Sequence, residues 1–123
     1  MRKIVVWTKD DMQKRILKEF SNPDTTITFT YSFDNFKEEV TDTSLNIISS
    51  SNFDDFDVTD ESINQIKQFF NTNENKTFRI FEYVETCKAP LCCGFLAREK
   101  NVICHMIFSD YKGTIQARID ANL

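Results

Sequence analysis

The apolar residues of this chain fall into short runs whose spacing switches repeatedly between that of strands and that of helices. Residues 4–7 (Ile-Val-Val-Trp) form a continuous apolar run, as expected of a strand covered on both faces. Thr8, Lys9, Asp10 and Asp11 then supply a helix cap and a first turn with acids, and Met12, Ile16, Leu17 and Phe20 follow at helical spacing. Asn22-Pro23 closes that helix. Residues 26–33 alternate strictly, which predicts a strand with Ile27, Phe29, Tyr31 and Phe33 inward and hydroxyls outward. Asp34 can cap a short helix carrying Phe36 and Val40. Residues 45–48 predict a third strand and 49–57 a polar loop. Thr59, Asp60 and Glu61 open a helix whose Ile63, Ile66, Phe69 and Phe70 form one stripe.

This order of strand, helix, strand, helix, strand, helix implies right-handed crossovers and a largely parallel arrangement up to residue 70. The remainder reads differently. Residues 77–85 alternate again, and two strand-like runs flank Lys100-Asn101. With those two residues as a hairpin turn, Ala97 faces Cys104, Phe95 faces Met106 and Cys93 faces Phe108. Ile115, Ala117 and Ile119 alternate as in a strand, whereas Ile115, Ile119 and Leu123 lie on a helical stripe. The loop-like Tyr111-Lys112-Gly113 favours the strand. The expectation is therefore one α/β domain over residues 1–123. Its mixed sheet has a βαβαβα amino-terminal part and an antiparallel carboxy-terminal hairpin or meander.

Length and composition fit this picture. A chain of 123 residues is one domain, and 41% hydrophobic residues, including 12 Phe, can furnish its core. The formal charge of -4 speaks against nucleic acid or an anionic membrane as partner, because both need a basic face. No run is long and apolar enough to span a bilayer. The four-residue apolar run after Met1-Arg2-Lys3 is too short for a secretory signal, so the cytoplasm is the expected compartment. There, Cys87, Cys92, Cys93 and Cys104 are expected as reduced thiols.

Those cysteines and His105 are also the candidate zinc ligands, but they lack paired CxxC knuckles. In the hairpin register Cys93 and Cys104 stand about 13 Å apart, too far for a shared metal or a disulfide. Cys104 and His105, adjacent in a strand, point to opposite faces and cannot act as a nucleophile–base pair. Phosphate-binding loops need several glycines, and the chain has only Gly94 and Gly113. No metal, cofactor or catalytic residue is expected.

The alternating elements resemble the receiver domains of response regulators, with a receiver- or flavodoxin-like order. The resemblance implies two acids at the end of the first strand, where Trp7 and Thr8 stand and Asp10 and Asp11 come late. It also implies an acceptor aspartate ending the third strand, where Ser49, Ser50 and Ser51 lead to Asp54 and Asp55. No lysine follows the last strand in Ile107-Phe108-Ser109-Asp110. What the resemblance implies is thus a degenerate receiver-like signalling adaptor without phosphotransfer.

The most unusual local composition is Phe53, Asp54, Asp55, Phe56, Asp57, Asp60 and Glu61, where carboxylates interleave with two aromatics before a helix. Acids there favour the helix dipole. The same group can also dock a basic protein, the aromatics as desolvated anchors and the carboxylates as steering charges. The functional expectation is a non-catalytic protein-binding module, an immunity protein or inhibitor blocking a basic, nuclease-type partner through these residues.

Overall fold

The structure, a computed structural model, describes residues 2–85, 88 and 90–107. Ten elements follow in order: β1 (Arg2–Trp7), α1 (Asp11–Lys18), β2 (Thr25–Thr30), α2 (Phe33–Glu39), β3 (Leu45–Ser49), a 3₁₀ turn (Ser50–Phe53), α3 (Glu61–Thr72), β4 (Phe78–Tyr83), α4 (Pro90–Leu96) and β5 (Val102–Ile107). They build a single α/β domain around one five-stranded sheet of order β2-β1-β3-β4-β5. Every neighbouring pair is parallel.

Alternation along the strands sends side chains into two cores. Val5, Trp7, Ile48, Phe78 and Ile80 pack on one face under α2, α3 and α4, joined by Phe36, Ile63, Ile66, Phe70, Cys92, Cys93 and Leu96. Ile4, Val6, Leu45, Ile47, Phe81, Tyr83 and Ile107 pack on the other face, where α1 contributes Leu17. The helix starts follow capping chemistry. Asp10 caps α1, Ser32 caps α2 and Asp60 caps α3, each accepting backbone N–H groups. Ser32 replaces the expected Asp34, so α2 begins at Phe33. The strand predicted over 26–33 accordingly ends at Thr30, leaving Tyr31 exposed.

The antiparallel hairpin is overturned, and with it the mixed sheet. Residues 90–96 form α4, and β5 pairs in parallel with β4, so that Cys104 lies beside Ile80 and Met106 beside Glu82. The physical reason is visible in the burial of Cys92, Cys93 and Leu96, which share one helical face. In an apolar run this short, helix and strand periods cannot be told apart. Pro90 is the first helical residue, a position where proline sacrifices no hydrogen bond. Asn101 is no hairpin turn either. Its side-chain amide donates to the carbonyls of Phe70, Asn73 and Lys76, each at 3.1 Å, and the Asn101 carbonyl accepts from Phe78 N–H at 2.9 Å. Asn101 thus holds the end of α3 against the sheet. The strand-or-helix assignment of residues 114–123, the Cys93–Phe108 pair and Cys87 lie outside the described residues.

Candidate functional site

In an open parallel sheet, ligands bind outside the carboxyl ends of the strands where the connections diverge, and here that point lies between β1 and β3. The crevice is filled by uncharged side chains. Asn52 Nδ2 donates to the Trp7 carbonyl at 2.8 Å, and Lys9 N–H donates to Asn52 Oδ1 at 3.1 Å, tying the two outgoing loops together. The buried Gln13 accepts at Oε1 from Thr8 Oγ1 (3.1 Å) and from Ser49 Oγ. Ser49 and Ser51 share a hydroxyl contact of 2.8 Å, and Ser50 Oγ accepts from Tyr83 N–H at 3.2 Å. Asp10, the nearest acid of the first loop, is occupied in capping α1 through Met12 and Gln13.

The acidic-aromatic group predicted from sequence lies on the β3–α3 connection, and the structure gives its members different tasks. Phe53 is fully buried, edge-on to Trp7 with ring centroids 5.7 Å apart. It belongs to the core. Phe56 is half-buried, with Lys9 Nζ 5.9 Å from its ring centroid. Its carbonyl accepts from Cys92 Sγ at 3.4 Å, which fastens the loop to α4. Asp54 Oδ1 accepts from Lys88 N–H at 3.3 Å. Asp60 caps α3 through Ser62 N–H at 2.8 Å.

Asp57 folds the loop locally. Its Oδ1 accepts from Thr59 N–H (2.9 Å) and Thr59 Oγ1 (2.5 Å). The Thr59 hydroxyl, then the Thr59 N–H, hold this carboxyl below the ordinary aspartate range, because hydrogen bonds to the charged form favour it. Asp55, Asp57 and Glu61 are exposed. The result is a loop whose backbone is held by three of its own acids, Asp54, Asp57 and Asp60.

Cys92 and Cys93 are buried and Cys104 is partly buried. Cys93 lies in α4 rather than in a strand, so the register that set it about 13 Å from Cys104 does not exist. Cys104 packs against the α3–α4 side, whereas the His105 ring meets Phe81 on the opposite face at 5.9 Å. Their opposed orientation is as the strand reading expects. Among the described residues no three His, Cys, Asp or Glu side chains gather as a metal site, and no helix is long and apolar enough to cross a membrane.

Sequence reasoning missed the neighbour of the acidic loop. Val58 joins Leu91, Gly94, Phe95 and Arg98 in lining an open groove of about 410 Å³ along α4. The run 91–96 carries no sequence signal for it, since its apolar residues fit either period; the burial of Cys92, Cys93 and Leu96 leaves Leu91 and Gly94 on the outer face. Comparison with family models, with curated proteins and with solved structures finds no match in any of the three.

Proposed function

We propose that this chain is a non-catalytic protein-binding module of the immunity-protein or inhibitor kind, which blocks a basic, nuclease-type partner through the loop of residues 54–61. One observation carries the reading. Asp54, Asp55, Asp57, Asp60 and Glu61 stand within eight residues, on a loop locked by the Asp57–Thr59, Asp54–Lys88 and Phe56–Cys92 hydrogen bonds. A loop whose backbone is held in advance loses little conformational freedom on binding, and its charges steer a basic partner during encounter.

The test uses the partner recovered from the source lysate and association kinetics at two ionic strengths. Replacing Asp54, Asp55 and Asp57 together with Asn keeps one acceptor oxygen for each of the hydrogen bonds to Lys88 and Thr59 and loses only the charge at exposed or half-buried positions, so the melting temperature is expected to fall only slightly. Association is expected to slow at low salt and to lose most of its salt dependence. Unchanged association at low salt would refute the reading.

A second reading, the receiver-like signalling adaptor without phosphotransfer, is favoured by the β2-β1-β3-β4-β5 order. Fold alone does not assign function. A neighbouring toxin gene supports the first reading, and a neighbouring kinase or output-domain gene the second.

A further inference from the structure

We infer that the cavity at the carboxyl end of β1, between the starts of α2 and α3, binds a small uncharged heteroaromatic ring that presents a hydrogen-bond acceptor to Trp7. This site goes beyond the protein-binding reading and does not depend on it. Trp7 ends β1 and supplies one wall, and Phe33, Phe56 and Ile66 supply the other apolar walls of a cavity of about 210 Å³. An apolar cavity of about 150 Å³ holds benzene, so this space suits a single ring. The carboxyl ends of the strands are also where open α/β sheets take their ligands.

An orphaned donor carries the inference. Trp7 is 4% exposed, and its indole Nε1–H is buried with no hydrogen-bond partner among the described residues. A buried N–H left unpaired is costly, because it has given up its bond to water and gained none. The rings packed around the indole cannot repair this. Phe33, Phe36 and Phe53, with centroids 5.6, 5.8 and 5.7 Å away, carry no oxygen or nitrogen. An acceptor has to come by way of the cavity that Trp7 lines. The indole nitrogen only donates, so the ligand must accept.

The remaining walls select shape and charge. Phe33 and Phe56 offer ring surface, against which a planar ring packs offset or edge-on. Asp34 at the rim is paired with Lys37 at 3.3 Å, and Lys37 Nζ lies 4.7 Å from the Phe33 ring centroid. The two charges balance, which favours a neutral ligand over an ion. Ser62 and Gln65 line the cavity from α3 with a hydroxyl and an amide, each able to donate and to accept at the ring's polar edge.

The chain holds one tryptophan, so the indole Nε1–H signal in a ¹H–¹⁵N spectrum reports on this site alone. The full chain is titrated with 2-pyridone, a neutral ring bearing a carbonyl acceptor, and separately with benzene, which has the shape but no such acceptor. 2-Pyridone is expected to move the indole signal downfield and saturably at millimolar concentration, and benzene to bind about tenfold more weakly or worse. Ser62→Leu and Gln65→Leu are expected to keep the melting temperature of the parent chain and to weaken 2-pyridone by about tenfold or more. An indole signal that 2-pyridone leaves in place up to its solubility would mean that water alone meets the indole, and would overturn the proposal. Benzene binding as well as 2-pyridone would overturn the acceptor and with it the ligand class. A shift that neither α3 variant reduces would put the ring elsewhere and overturn the site.

Discussion

Asn101→Asp is expected to cost about 3–5 kcal/mol, the range for leaving an uncompensated charge in a protein interior. Asn101 is 8% exposed, and its amide donates to three carbonyls at once, those of Phe70, Asn73 and Lys76. Aspartate would set a carboxylate against the same three oxygens. Asn101→Ala only removes the donor, and is expected to cost about 1–3 kcal/mol. The two variants should also differ in pH dependence. The introduced carboxyl has a folded-state pKa above its unfolded value, since burial and the facing carbonyls disfavour the charge. Its penalty is therefore full above the raised folded-state pKa, shrinks as pH falls from there, and is gone below about pH 4, where both states are protonated. Urea melts of both variants across that range check this; equal deficits at every pH would show that Asn101 does not clamp these carbonyls.

Phe70→Ala is expected to cost about 3–5 kcal/mol, from lost transfer energy and the cavity left behind. Phe70 is fully buried, with its ring centroid 4.6 Å from that of Phe78 and 6.2 Å from that of Phe69. Phe29 makes the useful comparison. Alternation over residues 26–33 suggests that it is the middle of an inward row, yet β2 is an edge strand among the described residues and Phe29 is only half-buried, with Lys14 Nζ 5.4 Å from its ring centroid. Its truncation should cost distinctly less. Denaturant melts that rank Phe29→Ala above Phe70→Ala would contradict the assignment of the core.

The contrast between these two phenylalanines shows what was legible in the sequence. Long or strongly patterned segments carried their own information: the apolar β1, and α3 with its Asp60 cap and the stripe Ile63, Ile66 and Phe70. Which strand would lie at the edge is decided by crossovers, and alternation alone does not encode it. The run 91–96 failed for a different reason. It spans fewer than two helical turns, so its apolar residues satisfy either period. Its helix is selected by tertiary packing of Cys92, Cys93 and Leu96 on the α3 side of the sheet.

The candidate site was legible in composition but not in detail. The acids could be counted from sequence, but only the fold shows Phe53 turned into the core beside Trp7 and Val58 turned out toward Leu91. The hydroxyl and amide groups of Thr8, Gln13, Ser49 and Asn52 are ordinary polar residues in the sequence. Only the parallel pairing of β1 with β3 brings them together at the carboxyl end of the sheet.

The most direct measurement is amide hydrogen exchange of the full chain, free and bound to the partner recovered from the source lysate. The expected result is new protection over residues 54–61, with the network of Thr8, Gln13, Ser49 and Asn52 exchanging as in the free protein. Protection centred on residues 8–13 and 49–52, with none over 54–61, would place the binding site at the β1–β3 crevice and contradict the acidic loop as the docking surface.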